Sequence, residues 1–143
     1  MLTVKKNKYL DWPEFLHAVD VCMQELDNLN TPFTKIYAPI RGGLIPAIMM
    51  SHYFSVPVHP LDTRELNALR SPDLKGAGTV LLLDDISDTG ETFRKCAEYL
   101  NDQGYIVITC AIVMKKETRW LPDVHAITMP QEEYLIFPYE RKK

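Results

Sequence analysis

The sequence predicts an α/β protein: a doubly wound, mainly parallel sheet of about five strands with helices on both faces. Two observations carry this. Short apolar runs alternate along the chain with longer stretches in which apolar residues recur at helical spacing. The clearest run, residues 80–83, is continuously apolar rather than alternating, as in a strand covered on both faces. Right-handed crossovers bring the strand ends, and the residues that follow them, to one edge of such a sheet.

Each element has its own signal. Asp11 opens the first helix, with Glu14 three residues on and Pro13 tolerated in the first turn. Trp12, Phe15, Leu16, Val19, Met23 and Leu26 recur at helical spacing and form its expected core face. His17 lies beside that face and reads as an ordinary histidine. Residues 28–32 break the helix. Residues 35–39 form a short strand, and Ile40, Arg41, Gly42 and Gly43 follow it. The glycine pair reads either as a sharp turn or as a loop whose backbone approaches a ligand, with Arg41 offering planar donors suited to phosphate. Residues 44–54 read as a buried helix with Pro46 near its start, and residues 56–61 as another strand. Residues 62–78 are polar and rich in turn formers; Arg64 and Arg70 read as solvated.

Next comes the richest stretch, residues 79–100. The apolar run 80–83 reads as a strand that ends in an acidic turn at Asp84 and Asp85, a small polar loop runs from Asp88 through Thr89, Gly90 and Glu91 to Thr92, and Phe93, Cys96, Ala97 and Leu100 then mark a helix. Free amide groups at a helix start make an anion site, two threonine hydroxyls add donors, and Gly90 permits a tight cradle. The acidic pair repels phosphate and suits hydroxyl groups or a hydrated divalent cation. A phosphate cradle beside carboxylates fits a sugar phosphate. Asp88 and Glu91 equally form a plain capping box, and spacing alone does not choose. Gly104 stands where a C-cap glycine belongs, residues 105–114 form the next strand, closed by Lys115 and Lys116, and residues 124–129 form the last core strand.

The string VLLLDDISDTGET resembles the phosphoribosyl-pyrophosphate signature of the type I phosphoribosyltransferases. IRGGLIPA resembles their pyrophosphate loop, and the segment PQEEYLIFPYE, residues 130–140, resembles the C-terminal segment of xanthine-guanine and hypoxanthine members. The resemblance spans residues 36–140 and implies one domain over residues 1–143, with residues 130–140 as its base-binding segment. It implies transfer of ribose 5-phosphate from phosphoribosyl pyrophosphate to a 6-oxopurine. Asp84, Asp85, Asp88, Thr89, Gly90, Glu91 and Thr92 would hold the ribose and its 5-phosphate, and Arg41, Gly42 and Gly43 the pyrophosphate. Lys115 would meet the 6-oxo group, and Tyr134, with Leu135, Ile136 and Phe137, would stack on the base and read its edge. Asp88 and Arg41 would be the catalytic pair, and Asp84 and Asp85 would hold Mg2+, directly or through water. Glu91 would face solvent. The resemblance further implies a homodimer or homotetramer, a hood over the site from residues 62–78 (short here), and, in some members, a strained or cis peptide before the arginine.

Length and composition bound the alternatives. A chain of 143 residues is large enough for one core. A net charge of −3 gives no support to nucleic-acid binding, and no apolar run approaches the ~18 residues of a membrane span. Cys22, Cys96 and Cys110 show no paired spacing, and the N-terminus lacks a signal-peptide core, so a reducing cytoplasm is expected. Arg141, Lys142 and Lys143 read as a solvated end. Three rivals remain: a non-catalytic phosphoribosyl-pyrophosphate-binding regulator, a receiver-type signalling domain, and transfer to a pyrimidine base. The receiver domain explains neither the IRGG loop nor the C-terminal segment.

Overall fold

In the computed structural model, which describes residues 6–66 and 76–142, the chain runs β1 (Lys6–Tyr9), α1 (Trp12–Asn28), β2 (Ile36–Pro39), α2 (Leu44–Phe54), β3 (Val58–Leu61), β4 (Thr79–Ser87), α3 (Glu91–Asp102), β5 (Ile106–Lys115), β6 (Val124–Met129) and β7 (Glu133–Ile136). Five strands form one parallel sheet in the order β3-β2-β4-β5-β6. The chain winds outward from β2 to β3, then crosses to β4 on the other side of β2. The sheet therefore has its topological switch point between β2 and β4, where open α/β sheets bind ligands.

Strand β4 is central, and its side chains alternate between two cores. Leu81 and Leu83 join the cluster packed by α1 and α2; Val80 and Leu82 join the one packed by Phe93, Cys96, Ala97 and Leu100 of α3. Covering both faces is what keeps the run continuously apolar. Helix α3 ends as its glycine indicates: Gly104 adopts φ +100°, and an added Cβ would lie 2.6 Å from the Gly76 carbonyl oxygen.

Three expectations are corrected and one element is added. Strand β4 does not stop at residue 83 but continues through Asp84 and Asp85 to Ser87, because pairing with β5 persists to Met114. In α1 the Asp11–Glu14 capping box forms, but Trp12 and Leu16 are 47% and 46% exposed; the stripe facing β5 and β6 is Phe15, Ala18, Val19, Cys22 and Leu26. Helix α2 is not buried all round, since it packs one side on β2 and β4 and leaves Ile45, Ile48 and Tyr53 exposed. A separate two-stranded parallel sheet, β1 with β7, was not expected at all. It ties the start of the described chain to the C-terminal segment, and the Leu10 amide extends the pairing by donating to the Ile136 carbonyl at 3.0 Å. Arg70 and most of the expected hood lie outside the described residues.

Phe15 fixes that segment from beneath. It is fully buried, with its ring 6.2 Å from Phe137 and 5.4 Å from Tyr139, both edge-on. Phe15→Ala is expected to lower the unfolding free energy by about 3–5 kcal/mol, read by guanidinium denaturation; a loss under about 1 kcal/mol would show that the ring is not part of the close-packed core.

Candidate active site

The C-terminal ends of β2, β4 and β5 and the segment after β6 enclose a cavity of about 980 Å3. Arg41, Gly42, Asp84, Asp85, Asp88, Thr92, Lys115, Tyr134, Leu135 and Phe137 all line it. Five other expected residues do not. Ile136 faces a second, smaller cavity beside β1. Gly43 sits beneath the loop, and Thr89, Gly90 and Glu91 form a turn outside the cavity lining. Arg141 and Lys142 are exposed, as expected of a solvated end, and also lie on the cavity rim.

The two acids on β4 dominate the floor. Each is about 8% exposed, and among the described residues no basic side chain pairs with either. Asp84 accepts from the Asp85 amide at 2.8 Å. Asp85 accepts from the Tyr139 hydroxyl at 2.9 Å, a partner that the spacing of the C-terminal segment did not reveal. Burial, then the neighbouring Asp85 charge, raises the Asp84 carboxyl well above the usual carboxylate range. Burial also raises Asp85, while hydrogen bonds from Asp84 and Tyr139 act the other way. Burial pushes up the Tyr139 phenol, and the Asp85 charge adds to it.

The glycines after β2 have a reason within the protein's own packing. A Cβ on Gly42 would lie 2.3 Å from Asp85 Oδ2, and one on Gly43 would lie 2.7 Å from the Leu83 carbonyl oxygen. Only a loop without side chains can rest on the acidic strand this closely. The Gly43 amide donates inward to the Pro39 carbonyl at 3.1 Å, so Gly43 presents no amide to the cavity. Arg41 stands exposed at the cavity wall, and the Ile40–Arg41 peptide is cis.

The loop before α3 is not a capping box. Gly90 is the N-cap residue at φ +94°, with no side-chain cap bond, and a Cβ there would meet the Trp120 amide nitrogen at 2.5 Å. The Arg119 amide also donates to the Thr89 carbonyl at 2.9 Å, so residues 118–120 hold the turn from outside. Glu91 points away, paired with Arg94 at 3.0 Å on the exposed face of α3. Its charge is thereby partly neutralised where it would otherwise oppose a bound anion.

Lys115 closes β5 with its side chain buried. Its ammonium donates to the main-chain oxygens of Gln131, at 3.2 Å, and of Glu133, and lies 3.8 Å from Asp88. Tyr134 is 45% exposed on the wall above it. Phe137 is buried and stacked on Tyr139, so it packs the segment more than it offers a face.

A doubly wound parallel sheet with a carboxylate pair at its switch point and a crevice built from several strand ends is the architecture in which α/β proteins bind small molecules. The phosphoribosyl transferase domain family matches residues 6–138, and the chain belongs to it as a type I phosphoribosyltransferase, a transferase enzyme. It is 31% identical over 140 residues to xanthine-guanine phosphoribosyltransferase of Chromohalobacter salexigens, covering 92% of this chain and 82% of that one. Among solved structures it resembles a purine phosphoribosyltransferase from Pyrococcus horikoshii, with a TM-score of 0.79, 25% identity and 96% of each chain covered. The Helicobacter pylori xanthine-guanine-hypoxanthine phosphoribosyltransferase shares the fold, with a TM-score of 0.78, 16% identity and coverage of 96% of this chain and 94% of that one.

Because folding raises the Asp84 pKa, this group favours the folded state only while protonated, and that contribution fades as pH climbs from the ordinary carboxylate range toward the raised value. Asp84→Asn keeps the acceptor for the Asp85 amide and removes the buried charge. In metal-free buffer the variant is expected to melt above wild type at pH 8, with the gap shrinking toward pH 4; a gap that is constant or grows on acidification would contradict the assignment.

Proposed function

We propose that the protein is a purine phosphoribosyltransferase that moves ribose 5-phosphate from phosphoribosyl pyrophosphate to a 6-oxopurine, releasing pyrophosphate. The observation that carries the base class is Lys115. Its buried ammonium has three donors and no acceptor, and two of those donors are committed to the main chain of the C-terminal segment. The third is available to an acceptor at position 6 of a base lying against Tyr134. An adenine amino group would bring donors against a donor.

The remaining roles follow from the crevice. The 5-phosphate would sit at the start of α3, on first-turn amides and the hydroxyl of Thr92, which lines the crevice, with Thr89 in the turn beside it. Arg41 and Gly42 would hold the pyrophosphate, with Gly43 serving the close packing of the loop. Asp84 and Asp85 would accept from the ribose hydroxyls. They also fit Mg2+ as two nearly buried carboxylates that form no ion pair among the described residues; no cluster of three or more His, Cys, Asp or Glu occurs among those residues, so substrate oxygens and water would complete the shell. When bound with the substrate, the ion would neutralise charge on the departing pyrophosphate.

The bond from ribose C1 to pyrophosphate oxygen breaks as the bond to the purine nitrogen forms, through a transition state with oxocarbenium character. Arg41 stabilises the charge growing on the leaving group. Asp88 takes the proton that the purine nitrogen gives up, a general-base role that typically contributes about 10²–10⁴-fold. The likeness to xanthine-guanine phosphoribosyltransferase supports the purine class.

The test is kcat/KM for guanine, xanthine, hypoxanthine, adenine and uracil on wild type, Lys115→Ala and Tyr134→Ala. Wild type should favour the 6-oxopurines by about ten- to a hundred-fold, the scale of a polar group left unpaired in a closed pocket at roughly 1–3 kcal/mol. Lys115→Ala should lose that preference, and Tyr134→Ala should weaken all purines alike, since every purine offers a π face. Equal use of adenine or uracil by wild type would overturn the base assignment.

A further inference from the structure

We infer that Gln131 is a positioning residue that sets the geometry of Asp88 from the base-binding side of the crevice. The inference rests on the reading of Asp88 as general base.

Three groups on this one residue are engaged at once. The side-chain amide nitrogen donates to Asp88 twice, at 2.9 Å to Oδ1 and at 3.1 Å to its main-chain oxygen. The side-chain carbonyl accepts from the Glu117 amide at 2.9 Å. The main-chain oxygen accepts from the Lys115 ammonium at 3.2 Å. These partners leave the amide one orientation. Turned by 180°, its oxygen would face two acceptors on Asp88 and its nitrogen would face the donor of Glu117.

Asp88 needs such a restraint. Its side chain is 53% exposed, and the Lys115 ammonium, at 3.8 Å, lies beyond hydrogen-bond distance. An exposed carboxylate at the start of a turn samples several rotamers. Gln131 removes that freedom by holding both the main chain of Asp88 and one carboxylate oxygen. The other oxygen is left for the purine proton. Because the same residue accepts from Lys115, the group that reads position 6 and the group that takes the proton are tied to one point of the chain. A base that pulls Lys115 into place therefore also bears on the placement of Asp88. A general base acts only in hydrogen-bond reach of its proton, and small displacements are costly in rate.

The test is a double-mutant cycle on the full chain with phosphoribosyl pyrophosphate, Mg2+ and the preferred base. Single-turnover nucleotide formation is measured for wild type, Gln131→Leu, Asp88→Asn and the double variant, with melting temperatures for all four. Gln131→Leu keeps volume and removes all three side-chain bonds, the two to Asp88 and the one from the Glu117 amide. It should slow the single-turnover rate by about ten-fold while KM for phosphoribosyl pyrophosphate and the melting temperature stay near wild type. In the Asp88→Asn background the same change should cost less than about two-fold, because it acts through a carboxylate already gone. Gln131→Glu keeps the bond to the Glu117 amide but sets a like charge on Asp88, and it should be at least as slow as Gln131→Leu. Equal losses from Gln131→Leu in both backgrounds, or a Gln131→Leu or Gln131→Glu rate within two-fold of wild type, would overturn the role of Gln131 while leaving Asp88 in place. An Asp88→Asn rate within two-fold of wild type would overturn the general-base reading and this inference with it.

Discussion

Asp84 and Asp85 stand side by side on the central strand, each about 8% exposed, and among the described residues neither forms an ion pair with a lysine or arginine. Ionised together they are a strained arrangement, since burial and mutual repulsion both disfavour the charged forms. The surrounding structure is arranged to manage that strain. Tyr139 donates to Asp85 from a ring wedged between Phe15 and Phe137. The Asp85 amide is turned onto Asp84. The two glycines after β2 let the neighbouring loop lie directly over the pair. A pair held this way gains stabilisation from a ligand that brings hydroxyl donors or a divalent cation, and the cavity above it is open for one.

The position of that pair follows from topology. Strands β2 and β4 adjoin, but the chain leaves them toward opposite edges of the sheet, so their following loops part and open a crevice. The arginine loop comes from one strand, the acids and the start of α3 from the other. Strand β5 adds Lys115 one place further along. The small sheet of β1 with β7 then folds the C-terminal segment back over the opening, so that residues far apart in sequence face one cavity.

How far this could be read from sequence varies element by element. Strand β4 and helix α3 were legible because burial on both faces demands an unbroken apolar run, and the helix that covers one face shows its period openly. The limits of α2 and β6 were also legible, set by Gly43 and Pro130. The β1–β7 pairing was not, because two four-residue strands joined only by main-chain bonds across most of the chain leave no side-chain pattern. Spacing left the Asp88–Glu91 capping box open; the structure excludes it because Gly90 turns the chain through a left-handed conformation under Trp120. For the site, spacing pointed to the acids, Arg41 and the turn. It was silent on Tyr139 and Gln131, whose side chains matter through the partners that tertiary folding supplies.

Group transfer in this crevice is a stronger claim than the mere holding of a sugar phosphate. Phosphorus NMR of phosphoribosyl pyrophosphate incubated with the protein and Mg2+, before and after addition of guanine, hypoxanthine or xanthine, tests that most directly. The predicted result is loss of the phosphoribosyl-pyrophosphate resonances, with pyrophosphate and a nucleoside monophosphate growing in equal amounts, only once a 6-oxopurine is present. Bound but unconverted phosphoribosyl pyrophosphate with every one of these bases would contradict it and leave a binding protein in place of an enzyme.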